Sequence, residues 1–505
     1  MISSRSERVA RVENTSMNLL DYFKTGSDRP VKSDDPAVIR REFEWRRWSV
    51  FLSVTFGYAF FYVARINLAV VKKPLMDEGV FSASELGVIG SVLFIVYAFG
   101  KLFNGFLSDR ANIRRFMSAA LLCAAVVNFL LGFVEWFWAF VILWAINGWF
   151  QSIGSAPSVV ALSQWFTKKE MGTRYGVWSV SHSIGQGATY VFTAVLVSAF
   201  GWRWGFWGPG LICAGVALLL FRTLADRPQT YGLPSVNVYK GEADVGKAAS
   251  GSPASVGKSQ LAVLKNPAIW ILGFAGAANS ITRYGVTNWG ILFLQETKDY
   301  SLTGAGSVLA AFPIAAMAGS ILGGYISDRF FGGRRNVPTL VMSIFTLLSL
   351  IGLAVFSTPN VTRDIALIAV FGFNMGGLVT YLGGLMAVDI SSKKAAGAAM
   401  GVIGMFCYIG ASAQEAISGV LIDAGKSVST TVWSESAANL KASLQGLGLD
   451  LANVALPADS PVFDLKTSIV SYDFKWALMF WIGATAVALL LTLLVWKAKP
   501  AQDCD

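Results

Sequence analysis

Histidine occurs once in the 505 residues and cysteine four times, and charged residues make up only 14% of the chain. A single histidine excludes a His-rich metal site. Cys123, Cys213 and Cys407 fall in apolar runs and Cys504 near the end; none has metal-ligand spacing, and they imply no disulfide framework. A soluble domain carries roughly 25% charged residues, so this chain has too few charges to coat several globular bodies. No nucleophile–base pair stands in or beside the apolar runs, which speaks against an enzyme, and nothing calls for a cofactor. An apolar leader is missing too: the first 44 residues are polar, carry both charge signs, and read as a cytoplasmic tail rather than a signal peptide.

Apolar residues are what the chain has, at 54%, in long runs rather than amphipathic stripes. About a dozen runs reach the ~20 residues that a helix needs to cross a bilayer. The expected spans are 48–71, 86–107, 116–134, 137–157, 175–200 and 205–223, then 267–294, 302–326, 337–357, 364–388, 396–422 and 476–496. The chain thus divides into a cytoplasmic tail (1–47), a six-helix bundle (48–223), a cytoplasmic linker (224–266), a second six-helix bundle (267–496) and a short tail (497–505). The linker stretch Val245–Gln260 is Gly/Ser/Ala-rich, the composition of a flexible connection. The polar loop 423–475 within the second bundle is expected on the outer face.

A net charge of +10 in a soluble protein would point to nucleic acid; here the positive-inside rule accounts for it. The loops after spans two, four, eight and ten hold eleven cations: Arg110, Arg114, Arg115, Lys168, Lys169, Arg174, Arg329, Arg334, Arg335, Lys393 and Lys394. The opposite loops hold five: Lys72, Lys73, Arg203, Lys298 and Arg363. This bias puts both termini and the linker in the cytoplasm.

The two bundles repeat one another. Gly105-Phe-Leu-Ser-Asp-Arg110 recurs as Gly324-Tyr-Ile-Ser-Asp-Arg329, an offset of 324 − 105 = 219. Lys168-Lys-Glu-Met-Gly172 recurs as Lys393-Lys-Ala-Ala-Gly397, and Gly176 and Gly185 as Gly401 and Gly410, all at 225. The expected fold is therefore an all-α membrane protein of twelve transmembrane helices in two pseudo-symmetric six-helix halves, with a binding site at their interface near the midplane. A Gly/Asp/Arg loop after span two, echoed after span eight, is the recurrent motif of the major facilitator superfamily.

Charges inside spans need a reason, since each costs roughly 2.5–3.5 kcal/mol at the bilayer centre on insertion scales. Arg65 lies deep in span one and Arg283 midway along span seven, 283 − 65 = 218 residues apart, so they occupy equivalent places in the two halves. Two facing cations repel until a dianion sits between them. Guanidinium is planar, permanently charged and suited to bidentate phosphate or carboxylate contacts, and a phosphate near −2 matches the pair. Tyr58, Tyr62 and Arg65 follow at i, i+4 and i+7 on one helix face, and Tyr97 and Lys101 at i, i+4 in span two. These read as a wet pocket lining or as an aromatic packing stripe, with Lys101 alternatively snorkelling to the interface. His182 in span five has Cys407 as its repeat partner, 182 + 225 = 407, and is either a substrate ligand or a satisfied core residue. Glu415, the clear intramembrane carboxylate, pairs with a cation, carries a proton, or lies at the outer water interface.

With these residues in hand, the chain resembles the organophosphate:phosphate antiporter family of the major facilitator superfamily, which includes hexose-phosphate and glycerol-3-phosphate carriers and a membrane sensor of sugar phosphate. The resemblance rests on Phe56-Gly-Tyr-Ala-Phe-Phe-Tyr-Val-Ala-Arg65, Gly148-Trp-Phe-Gln-Ser-Ile-Gly154, Ser181-His182, Asp226-Arg-Pro-Gln-Thr-Tyr-Gly-Leu233, Arg283-Tyr-Gly and Lys393-Lys-Ala-Ala-Gly397. It implies that Arg65 and Arg283 hold phosphate. Lys101, His182, Tyr58, Tyr62, Tyr97 and Tyr408 would then line the substrate site, and Asp109, Arg110, Asp328 and Arg329 would gate it. It further implies a monomer in a bacterial inner membrane that exchanges a sugar phosphate or glycerol 3-phosphate for inorganic phosphate, with no nucleic-acid partner. The same resemblance admits a sensor, and the charges admit a proton-coupled organic-anion symporter. The chain departs from the family at Ile66 and Asn288, where a Lys and an Asp form a cross-half pair in glycerol-phosphate-type members, and at Met400, Ile403 and Pro313. The organic group of the substrate is accordingly less determined than its phosphate.

Overall fold

A computed structural model describes residues 22–32, 35–108, 110–241, 265–331, 335–382, 386, 390, 396–435 and 463–494. Helix α1 (Pro36–Asp77) opens with Pro36 in its first turn, where no N–H is needed, and with the Asp35 carboxylate accepting the Ala37 N–H at 2.9 Å. At 1.5 Å per residue its 42 residues span roughly 60 Å, about twice the hydrocarbon core, so its first turns stand clear of the membrane. Helices α2 (Ala83–Ser108), α3 (Ile113–Leu131), α4 (Phe137–Gln151) with α5 (Ser155–Trp165), α6 (Lys168–Phe200) and α7 (Trp204–Thr223) complete the first half. After a short helix, α8 (Val236–Tyr239), the second half comprises α9 (Pro267–Lys298), α10 (Leu302–Leu309) with α11 (Ala311–Phe331), α12 (Asn336–Val355), α13 (Val361–Thr380), α14 (Ala396–Ala424) and α15 (Lys475–Leu494).

Over the described residues each expected span is thus helical, the fourth and eighth being interrupted at residues 152–154 and at Ala310. Eleven crossings are long and apolar enough to span a bilayer. The other, α9, is long enough, but Asn279, Ser280, Thr282, Arg283, Thr287 and Asn288 make it polar along its middle. An even number of crossings brings the start of α1 and the end of α15 to the same face, here called the terminal face.

The repeat read from the sequence has a packing cause. A Cβ on Gly185 of α6 would lie 2.2 Å from the Ala59 carbonyl oxygen of α1, and one on Gly410 of α14 would lie 2.4 Å from the Ala277 carbonyl oxygen of α9. The offsets are 410 − 185 = 225 and 277 − 59 = 218, so both halves cross equivalent helices backbone to backbone at equivalent points.

The apolar core is distributed unequally between the two faces. Away from the terminal face one cluster runs through both halves, joining Leu68, Leu86, Phe94 and Trp144 to Trp289, Leu309, Phe371 and Trp481. Toward the terminal face it divides, with Phe43, Leu162 and Trp165 in the first half and Ile269, Met342 and Ile403 in the second. The halves are therefore sealed on one side and parted on the other.

The segments flanking the first half are folded where composition suggests tail and linker. Thr25 Oγ1 donates to Asp226 Oδ2 at 2.8 Å, Asn112 Nδ2 donates to the same oxygen at 3.1 Å, and Trp165 Nε1 donates to the Asp226 carbonyl at 2.9 Å. Asp226, buried, thereby gathers residues 22–32 and the α2–α3 turn through its carboxylate and the end of α5 through its backbone carbonyl. The Gly/Ser-rich stretch 245–260 lies outside the described residues. In the loop after α14, β1 (Lys426–Glu435) pairs antiparallel with β2 (Phe463–Tyr472), Lys426 opposite Tyr472. The Tyr472 N–H donates to Glu296 at 3.0 Å, tying this hairpin to α9.

Candidate functional site

A cavity of about 690 Å³ opens between the halves, and its walls include Tyr58, Tyr62, Lys101 and His182 from the first half and Arg283, Phe312 and Met375 from the second. The i, i+4, i+7 spacing on α1 does what it predicts. Tyr58 meets Tyr62 edge-on at 5.6 Å, and Tyr62 lies 5.4 Å from the His182 ring on α6. Arg65, only 7% exposed, sits with its guanidinium 4.6 Å from the Tyr97 ring and 5.4 Å from Phe94. Tyr97 touches Tyr408 of α14 at 5.0 Å between ring centroids, and Lys101 Nζ lies 5.6 Å from the Tyr408 ring. Across the interface the Arg283 guanidinium is 5.3 Å from Tyr284, whose ring packs edge-on to Phe94 at 4.6 Å. All eight expected site residues therefore belong to one continuous cluster, of which Tyr58, Tyr62, Lys101, His182 and Arg283 line the cavity. Both guanidinium groups act electrostatically on Tyr62 and His182. Neither makes an ion pair among the described residues, so one buried and one half-buried cation stand without a carboxylate. The His182 ring has its own anchors, Nδ1 on the Ser179 carbonyl oxygen and Nε2 at 3.4 Å from Ser183 Oγ.

The expected gating residues lie elsewhere. Arg110 and Arg329 are exposed at the terminal face. Asp109, Lys393 and Lys394 fall outside the described residues, as does the side chain of Asp328. Thr167 and Glu170 form the capping box that starts α6, and Glu170 pairs with Arg47 of α1. Burial works to raise the Glu170 carboxyl, but the hydrogen bonds from Arg47 and the Thr167 N–H, with the charges of Arg47 and Lys240, together outweigh it and hold the group below the ordinary carboxylate range.

Two cations counted as loop residues are in fact buried. Lys298 ends α9 in an ion pair with Asp364 at 2.6 Å, and Tyr300 donates to the same carboxylate at 2.8 Å. Lys72 lies inside α1, 1% exposed, with Nζ 2.9 Å from Glu415 Oε2 and 3.3 Å from the centre of the Trp289 ring. Glu415 is therefore not at a water interface. It accepts from Lys72 and from Trp289 Nε1 at 2.9 Å, and its other oxygen accepts from the Asn288 amide. The cross-half ion pair that seems absent at Ile66 and Asn288 is thus present farther along α1, with Asn288 as a neutral donor to it. The signal was available: Lys72 follows Arg65 by seven residues on the face already marked by Tyr58 and Tyr62. Without Lys72 and Lys298 the loop count becomes eleven against 5 − 2 = 3, a stronger bias.

Around this pair the halves are stitched together. Lys73 pairs with Glu296, Ser84 Oγ donates to Asp423 at 2.8 Å, and Tyr190 donates to the Thr287 carbonyl at 2.7 Å. Gly87 of α2 admits the Glu415 carbonyl oxygen to 2.6 Å from where a Cβ would stand, an approach that only glycine allows.

Comparison with known proteins agrees with this architecture. The profile of the Major Facilitator Superfamily matches residues 54–414. A probable hexose phosphate transport protein of Chlamydia muridarum is 34% identical over 391 residues, covering 75% of this chain and 85% of its own. The membrane sensor protein UhpC of Salmonella typhimurium is 32% identical over 397 residues, covering 78% and 89%. The glycerol-3-phosphate transporter of Bacillus subtilis is 34% identical over 415 residues, covering 80% and 92%. Among solved structures, an inward-facing bacterial homologue of the human lysosomal transporter Spinster shares the fold at TM-score 0.65 and 16% identity, over 90% of this chain and 98% of that one. The chain is a multi-pass membrane protein, not an enzyme, and belongs to the major facilitator superfamily and, within it, to the organophosphate:phosphate antiporter family.

Proposed function

We propose that this protein exchanges a phosphorylated organic substrate, a sugar phosphate or glycerol 3-phosphate, for inorganic phosphate by alternating access. The observation that carries this reading is the pair Arg65 and Arg283, one from each half, the first buried and the second lining the cavity, each without a carboxylate partner among the described residues. A bound dianion neutralises both. Closure of the empty site brings two desolvated cations together, each already several kcal/mol out of favour for leaving water. Closure around the dianion lacks that cost, so the loaded protein changes state and the empty one does so slowly. This differential stabilisation produces obligatory exchange without a further ion.

On the positive-inside reading the terminal face is cytoplasmic, the membrane is a bacterial inner membrane, and the structure stands inward-open. Lys72–Glu415, Lys73–Glu296 and Ser84–Asp423 then form the outer seal, which must part when the halves rock the other way. Lys101, His182, Tyr58, Tyr62, Tyr97 and Tyr408 surround the substrate, and the protein works as a monomer. Asp109, Arg110, Asp328 and Arg329 would latch the inner face in the opposite state.

A second reading, a sensor that binds sugar phosphate without moving it, is favoured by the likeness to UhpC. Proton-coupled symport is disfavoured, because Glu415, its best carrier, is held by Lys72, Asn288 and Trp289. The test is uptake of labelled phosphate into phosphate-loaded proteoliposomes. Uptake is expected to need internal phosphate and to fall at least about 100-fold in Arg65→Ala and in Arg283→Ala, since a charge-assisted hydrogen bond contributes about 1.5–3 kcal/mol and each arginine supplies more than one. Uptake indifferent to internal phosphate would overturn exchange. Binding of sugar phosphate with no flux would establish the sensor.

A further inference from the structure

Beside Arg283 a side pocket of about 120 Å³ leaves the main cavity and runs between α9, α13 and α14. Its polar lining is neutral: Asn279, Ser280, Cys407 and the phenols of Tyr284 and Tyr408, with Val379, Leu382 and Gly404 as apolar wall. Asn279 is only 6% exposed, yet its amide has no hydrogen-bond partner among the described residues. An amide that borders a cavity beside the anion site is placed to bond whatever fills it. Arg283 is the one cation among the described lining residues, and phosphate occupies it.

We propose that this pocket is the subsite for the organic group: with the phosphoryl group between Arg65 and Arg283, a neutral, hydroxylated chain or ring extends into it and bonds to Asn279, Ser280 and Cys407. This rests on the exchange reading above and adds to it the location and chemistry of substrate selection. At about 10–15 Å³ of cavity per water-sized group, the pocket takes about ten non-hydrogen atoms, enough for a glycerol or most of a hexose. A substrate whose organic part carries a second negative charge finds only neutral donors and acceptors there and is disfavoured.

Two measurements test this, both on the full-length protein in proteoliposomes. In the first, glycerol 3-phosphate, glucose 6-phosphate and 3-phosphoglycerate compete with labelled phosphate in the wild type and in Asn279→Leu. At least one of the two neutral-bodied compounds is expected to compete at least tenfold better than 3-phosphoglycerate, and Asn279→Leu to weaken that compound at least tenfold relative to unlabelled phosphate. In the second, modification of Cys407 by N-ethylmaleimide is followed by peptide mapping. The preferred organophosphate is expected to slow it severalfold more than inorganic phosphate does at saturating concentrations. Equal protection of Cys407 by both, or an unchanged preference in Asn279→Leu, overturns the subsite while leaving exchange intact. Absence of any phosphate exchange or binding in the wild type overturns the transport reading and the subsite together. The labelling readout also keeps the subsite falsifiable if Asn279→Leu fails to fold.

Discussion

Arg65 and Lys72 stand seven residues apart on one face of α1, both almost fully buried and both facing the second half of the protein. Their surroundings differ in one respect. Lys72 has a carboxylate from the opposite half at 2.9 Å, the face of Trp289 beside it, and a closed apolar core around it. Arg65 has aromatic rings, an open cavity nearby and another cation, Arg283, as its counterpart. One cluster is neutral by itself and holds the halves together. The other is neutral only when an anion arrives. A burial cost of several kcal/mol per ion is thus met internally about 10 Å (two helical turns) from where it is left to a ligand. The comparison teaches that an intramembrane cation signals function only after its partners are known.

The sharpest way to break this contrast is to give the arginine site its own carboxylate. Asn279 precedes Arg283 by four residues on α9 and borders the same pocket, so Asn279→Asp would form an i, i+4 pair with it. Phosphate exchange is expected to fall about 100-fold, or about 2.8 kcal/mol at 1.4 kcal/mol per decade, with the protein still folded; exchange near the wild-type rate would show that Arg283 does not bind phosphate.

The converse experiment opens the neutral cluster. Removing one partner of a buried ion pair costs about 3–5 kcal/mol, whereas replacing both by apolar groups is often close to neutral. Glu415→Gln should therefore weaken the outer seal, and Lys72→Met with Glu415→Leu should restore it. A cysteine at Ile66, which borders the small void between Arg65 and Lys72, reports the change. Its labelling from outside by a membrane-impermeant thiol reagent should rise at least tenfold in Glu415→Gln and return toward the starting rate in the double variant. Equal labelling in all three would show that the pair does not hold the seal.

The smallest effect belongs to the Arg47–Glu170 ion pair, where water reaches and screens the half-buried Glu170. Glu170 is depressed when folded, so its contribution is complete above its unfolded pKa, about 4.3, and is lost as pH falls through the lower folded value. Thermal unfolding in detergent should show Glu170→Gln less stable than the wild type by about 1 kcal/mol or less at pH 7, with the gap closing below about pH 4. A gap that persists into acid would assign the effect to the capping box of α6 rather than to the charge.

Much of the fold was legible because membrane insertion acts on local composition. Long apolar runs mark helices whatever they later touch, and the offsets of 218 and 225 survive because Gly185 and Gly410 each admit a neighbouring backbone. The arginine site was legible for a related reason: a charge in an apolar run is costly, and two at equivalent places reinforce each other. Lys72 escaped because it lies near the end of its run, where composition alone resembles a loop. The interruptions at 152–154 and Ala310 escaped because hydropathy does not register a change of helix axis.

By itself, then, the sequence marked the twelve crossings, the two halves and the cationic pair, all properties of single segments or of their repetition. Only the tertiary structure decided that Glu415 meets Lys72 across 343 residues of chain, that Asp226 gathers the flanking segments, that Asn279 borders a side pocket, and which face of the molecule is sealed. Each of those depends on which distant groups come within hydrogen-bond reach. A low-dielectric interior makes such encounters count for several kcal/mol apiece, and no local pattern encodes them.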